Sequence, residues 1–204
     1  WPVIRDRTEF WQATAETIER YGLRPWSGAT ARVSYLMNLV SHPYPDMRRL
    51  GVEWCKRFID LSRGLGCKYI SGHYDCMSKR QLAEAFDETV EKMIDGLVEM
   101  SEYGAGAGLE AIFLEQMHRP QLQPNTIDRA QDILAKANER AAIPIRMHLD
   151  TGHAAHVSPE VDPQHTARDK DVYEWMKVPW TDRRMVLVHT QQTDDQASRH
   201  WPFT

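Results

Sequence analysis

Short apolar segments alternate with amphipathic stretches along most of this 204-residue chain, and several of the apolar segments stop on a titratable residue. "CKYISGHYD", "LEAIFLEQ", "IPIRMHLD" and "RRMVLVHTQQ" read as strands, and "LRPWSGA" as a short extended segment before them. Between them lie helical patterns: "RTEFWQATAETIERYG", closed by Gly22; "HPYPDMRRLGVEWCKRFIDLSRGLG", with Leu50, Trp54, Phe58 and Leu61 as its apolar stripe; "SKRQLAEAFDETVEKMIDGLVEMSEYG", one long helix capped by Ser78; and "TIDRAQDILAKANER". Strands with apolar interiors that alternate with helices predict a parallel α/β sheet. Phe10 and Trp11 fit the same helix core stripes as Trp54 and Phe58. The glycines of "YGAGAGLE" follow a helix and precede a strand, the reverse of a dinucleotide-binding loop, so they read as a helix-ending turn.

Composition narrows the setting. With 42% hydrophobic and 26% charged residues the chain has the balance of a soluble globular protein. A net charge of −4 argues against nucleic acid as the main partner, because phosphate-tracking surfaces are basic. The apolar runs are too short for a bilayer, and Cys55, Cys67 and Cys76 show no paired spacing, so a reduced cytoplasmic setting without a membrane is expected. Residues 1–204 read as a single domain, with "HVSPEVDPQHTARDKDVYEWMKVPW" an elaborated loop holding a short helix, "DVYEWMK".

The strand ends carry the chemistry. The apolar segments stop at Gly72-His73, Glu115, Asp150 and His189, each bringing a good ligand for a divalent metal. In a (β/α)8 barrel such ends converge on one face. Glu115 and Asp150 offer anionic oxygen and His189 an imidazole nitrogen, a mixture that Mn²⁺, Zn²⁺ and Co²⁺ accept. Within "RMHLDTGHA", the Thr151-Gly152 break turns His153 toward the same mouth, and a strand-to-loop path is favoured over a helix that would contain Gly152. The competing reading of Asp150 is a turn in which its carboxylate accepts backbone N–H groups. The competing reading of Glu115 is a half-buried carboxylate paired with Arg119. His148 shares the face of Asp150 one layer deeper, as a supporting or core histidine. His42, His118, His156 and His165 fall in polar loops. Trp26 and Trp201, near strand ends, are candidates to wall a pocket.

"LDTGHA", "KYISGHYD", "FLEQMHRP" and "VHTQQTD…RHWPF", in this order and spacing, resemble the xylose-isomerase-like TIM-barrel superfamily, from about Arg24 to Phe203. That superfamily holds sugar and sugar-phosphate isomerases and epimerases together with the endonuclease IV nucleases. The resemblance implies a (β/α)8 TIM barrel, incomplete at both ends here, with strands corresponding to the second through sixth. A complete barrel takes about 250 residues, so a longer natural protein is expected. Glu115, Asp150 and His189 would hold one divalent metal ion (Mn²⁺, Zn²⁺, Co²⁺ or Mg²⁺). Glu115 and His153 would be catalytic, His153 contacting a substrate oxygen. A second glutamate on a later strand, beyond Thr204, would complete the site. His73, Arg199, His200, Arg32 and Trp201 would bind substrate, the arginines and His200 meeting a phosphate or terminal hydroxyl.

The activity so implied is isomerisation or epimerisation of a ketose or ketose phosphate through a metal-stabilised enediolate. The alternatives are an endonuclease IV-like phosphodiesterase at apurinic sites and a sugar-binding barrel without turnover. Two departures weigh against the three-zinc nuclease: Arg32 aligns where its pattern has histidine, and Ser198-Arg199-His200 replaces Asp-Arg-His. Gln121 stands where some ketose epimerases carry glutamate, which separates the chain from the tagatose and psicose 3-epimerase group. The tail "RHWPF" resembles tetrulose-phosphate isomerases. The expected partner is a small sugar or sugar phosphate, with homo-oligomerisation left open.

Overall fold

The computed structural model describes residues 8–29, 35–178, 187–192 and 201. Its elements are α1 (Thr8–Arg20), β1 (Ser27–Ala29), α2 (Pro45–Gly64), β2 (Tyr69–Gly72), α3 (Lys79–Glu84), α4 (Phe86–Ala107), β3 (Ala111–Glu115), α5 (Ile127–Asn138), β4 (Ile145–Asp150), α6 (Thr151–Ala155), α7 (Ala167–Lys170), α8 (Val172–Trp175) and β5 (Leu187–His189). The five strands form one parallel sheet in sequence order, β1-β2-β3-β4-β5. Parallel neighbours in unbroken order are the arrangement of a (β/α) barrel, here a curled half-barrel of five strands, as the strand alternation predicts.

Side chains alternate across the sheet and sort into two environments. Ile70, Ile112, Leu114, Ile145, Met147 and Leu149 point to the helices, where they pack with Ile59, Ile94, Leu97, Ile133 and Leu134 in a dry core. The opposite face is aromatic at its base: the Trp26 ring lies 5.0 Å from Tyr69 and 4.8 Å from Phe113. Nearer the carboxyl ends that same face turns polar, with Ser71, Glu115, His148, Asp150 and His189. Close strand packing fixes Gly72, whose φ is +145° and whose missing Cβ would stand 2.2 Å from the Ala29 carbonyl oxygen.

Three expectations need correction. The helix foreseen over residues 78–104 is two helices, parted at Ala85 (φ −147°, ψ 35°). No glycine or proline marks this break. Ser78 caps α3 through Gln81, whose Nε2 also donates to Asn38 Oδ1 and the Ser41 carbonyl, tying that short helix to the preceding loop. The buried stripe of α2 is Val52, Cys55, Ile59 and Ser62, one position off the expected stripe, with Leu50 60% exposed and Trp54 and Phe58 only partly buried. Phe10 is likewise exposed, so it is no part of the core. No helix among the described residues is long and apolar enough to cross a membrane.

The α2 stripe gives a direct test by urea denaturation. Ile59→Ala, at a fully buried site, should cost about 2–5 kcal/mol, while Leu50→Ala should stay within about 0.5 kcal/mol. The reverse ranking would restore the stripe read from the sequence.

Candidate metal centre at the carboxyl end of the sheet

Register brings the strand-end groups together. Asp150 pairs with His189, and Glu115 with His148, so two carboxylates and two imidazoles sit side by side on the inner face. Glu115, His148 and His189 line a cavity of about 540 Å³ together with Trp26, Tyr35 and Ser71, and Asp150 adjoins it through His189.

Asp150 is the joint of the site. Its Oδ1 accepts hydrogen bonds from the backbone N–H of Gly152 (2.7 Å) and His153 (3.1 Å) and from Gln191 Nε2 (2.6 Å). It thereby caps α6, a one-turn helix, where the sequence favoured a strand-to-loop path. The position calls for glycine, because a Cβ there would stand 2.0 Å from the Gln191 side chain, which Asp150 Oδ1 holds in place. The backbone-capping turn weighed against a ligand role for Asp150 is therefore present, yet it engages only Oδ1. Oδ2 faces His189 Nδ1 at 2.9 Å. Two donors each about 2.1 Å from one ion and at right angles stand about 3 Å apart, so this pair already has the spacing of adjacent ligands.

Glu115 is 2% exposed and meets Tyr35, not Arg119, which donates to His118 Nε2 instead. The Tyr35 hydroxyl donates to Glu115 Oε2 at 3.2 Å, and His153 Nδ1 lies 3.9 Å from Oε1. Burial, with the Asp150 charge second, raises the Glu115 carboxyl to about 7, against the Tyr35 hydrogen bond. Burial and the Glu115 charge hold the Tyr35 hydroxyl well above its ordinary value, so it remains a donor. His153 Nδ1–H donates to the Gln116 carbonyl at 2.8 Å, which fixes its ring and tautomer. His148 takes a 2.7 Å hydrogen bond with Ser71 Oγ and is lowered to about 4 by burial.

The other expected residues fall into place unevenly. His73 is fully buried behind Tyr35, its ring stacked at 6.0 Å, and burial lowers it to about 3. Trp26 walls the cavity from below, whereas Trp201 is 46% exposed and bridges to Gln192. Arg32, Arg199 and His200 lie outside the described residues. His118 and His165 are buried, despite their loop setting: His165 Nε2 and Nδ1 meet the carbonyls of Asn125 and Ser158. Tyr35, Ser71 and Gln191 were missed. Ser71 could have been found from strand alternation, two residues before His73, whereas nothing in the sequence marks Tyr35. Two sets of potential ligand atoms, Glu115-His148-His189 and Glu115-Asp150-His153, each fall within 4.8 Å of one another.

A parallel barrel sheet with its polar groups gathered at the carboxyl ends defines the (β/α)-barrel class. The chain belongs to the xylose isomerase-like TIM barrel family, which it matches over residues 3–204. It is 32% identical, over 193 residues, to the D-erythrulose 1-phosphate 3-epimerase of Brucella abortus (strain 2308), covering 92% of this chain and 58% of that protein. The chain thus spans less than two thirds of this curated relative. A xylose isomerase-like protein of Rhodospirillum rubrum has a similar structure, with a TM-score of 0.81 and 23% identity over 97% of this chain and 66% of that one. A D-psicose 3-epimerase of Clostridium cellulolyticum, solved with D-tagatose, shares the fold with a TM-score of 0.62 and 15% identity over 89% and 57% of the two chains.

Glu115 makes metal-free stability depend on pH. Its folded value lies above the ordinary 4.5, so its contribution is fully present below that pH and is lost as pH rises through about 7. The loss is of order 3 kcal/mol at most. Thermal melts of chelator-treated protein should fall between about pH 5 and pH 8, and Glu115→Gln should flatten that slope. An unchanged slope in the variant would place the titration elsewhere.

Proposed function

We propose that this chain carries the active site of a divalent-metal-dependent epimerase acting beside the carbonyl of a short ketose phosphate. The observation that carries the reading is the gathering of Glu115, Asp150, His153 and His189 at the carboxyl end of a parallel sheet, beside a cavity that Glu115 and His189 line. The relationship to an erythrulose-phosphate 3-epimerase supports the substrate class. Residues 1–204 are taken as part of one barrel domain.

The donor set suits a cation held by Glu115, Asp150 and His189: anionic oxygens beside imidazole nitrogen, with Asp150 Oδ2 turned away from the helix that its Oδ1 caps. A bound divalent ion would supply Lewis acidity to the paired oxygens of a hydroxyketone. Glu115 takes the proton from the carbon beside the carbonyl. Tyr35 holds Oε2 and leaves Oε1 on the side of His153. His153, with Nδ1 committed to the Gln116 carbonyl, offers its other edge to a substrate oxygen. The acid that returns the proton on the opposite face belongs, by the family resemblance, to a glutamate on a later strand. Arg32, Arg199 and His200 are assigned to the phosphate, and His73 and Trp201 to the surroundings of the sugar.

The reading is tested by incubating the complete natural protein in deuterium oxide with D-erythrulose 1-phosphate, other ketose phosphates and free ketoses. Deuterium is expected at the carbon next to the carbonyl together with a mixture of epimers. Glu115→Gln should slow the exchange at least about 100-fold, and chelation should stop it until Mn²⁺, Co²⁺ or Zn²⁺ is restored. No exchange into any substrate, with Glu115→Gln without effect, would contradict an enzyme.

A further inference from the structure

The inner face carries one imidazole that neither the family resemblance nor the catalytic scheme uses. His148 is 7% exposed and stands on the cavity wall one layer beneath Asp150. Its Nδ1 meets Ser71 Oγ at 2.7 Å, reaching across β3 to a strand that contributes to the same layer of the barrel interior. Its Nε2 is buried and has no hydrogen-bond partner. An unmet buried polar atom costs about 1–3 kcal/mol, and ring nitrogens of His73 and His118 are also unmet, so the position of His148 decides its reading. Here the unmet atom belongs to a ring with a ligand nitrogen within 4.8 Å of ligand atoms of both Glu115 and His189.

We propose that His148 is a ligand of the cation that this cavity takes, presenting Nε2 from the cavity floor beside Glu115 and His189, with Ser71 positioning its ring. The inference rests on the metal centre proposed above and adds a residue to it. Nδ1 is taken by Ser71, so Nε2 is the nitrogen left to coordinate. Histidine ligands commonly donate their second ring N–H to a fixed oxygen, and the Ser71 hydroxyl is such a partner. Donors within 4.8 Å of one another come onto one ion at about 2.1 Å with small side-chain rotations. A second imidazole also changes the selectivity of the site. Two nitrogens favour Zn²⁺ or Co²⁺ over Mg²⁺, which prefers an all-oxygen shell.

The test uses the complete natural protein with ¹⁵N-labelled histidine, titrated with Zn²⁺ and followed by ring-nitrogen NMR, in parallel with Co²⁺ titration followed by visible absorption. The His148 Nε2 resonance is expected to shift together with a ring nitrogen of His189. His148→Gln should weaken Co²⁺ binding more than about tenfold and alter its absorption bands, and Ser71→Ala should weaken it about 10–100-fold. Zn²⁺ binding that moves His189 and leaves His148 unmoved would overturn the role of His148 while leaving the metal centre intact. If neither ion binds the unmodified protein, the metal centre falls and this proposal with it. The NMR measurement is made on the unmodified protein, so a variant that fails to fold does not spare the proposal.

Discussion

The two oxygens of Asp150 do different work, and the site depends on that division. Oδ1 is saturated by the N-terminal N–H groups of α6 and the Gln191 amide, while Oδ2 faces His189 Nδ1. One carboxylate thus ends β4, starts α6 and joins β5 to the cavity. The alternation of a strand makes this possible. A slip of one residue would turn Asp150 toward the helices and put Leu149 in the cavity. The same parity places Glu115 on β3 and His148 on β4 inside the barrel, and Leu114 and Met147 in the core.

Desolvation sets the electrostatic character of the centre. Burial raises Glu115 and lowers His148 and His73, so each is pushed toward its neutral form. A pocket with buried donors and neutral imidazoles has unspent coordinating capacity, which a cation would satisfy. Tyr35 and Gln116 oppose rearrangement by holding Glu115 and His153 in place. Trp26, Tyr69 and Phe113 pack against one another on the inner face below these groups.

Much of this was legible because parallel strands impose strong sequence patterns. Apolar runs that end on Glu115, Asp150 and His189 located the strands, their order and the face that gathers chemistry. The helix phases were harder to read. In α2, Trp54 and Phe58 drew the stripe one position away from Cys55 and Ile59, because large aromatics can lie partly buried at the flank of a helix. The short helix before the break at Ala85 is tied down by Gln81 reaching Asn38 and Ser41, contacts more than 35 residues apart that no local pattern encodes. Tyr35 was invisible for the same reason. It reaches Glu115 across 80 positions. At Asp150 the two readings weighed from the sequence, capping turn and ligand, prove compatible because a carboxylate has two oxygens.

The most direct measurement is anomalous diffraction from crystals of the complete protein grown with Mn²⁺ or Zn²⁺. One strong peak per chain, within bonding distance of Glu115, Asp150 and His189, is expected. A cavity that stays without a peak at saturating metal, or three peaks in the pattern of a zinc nuclease, would contradict the one-metal sugar epimerase.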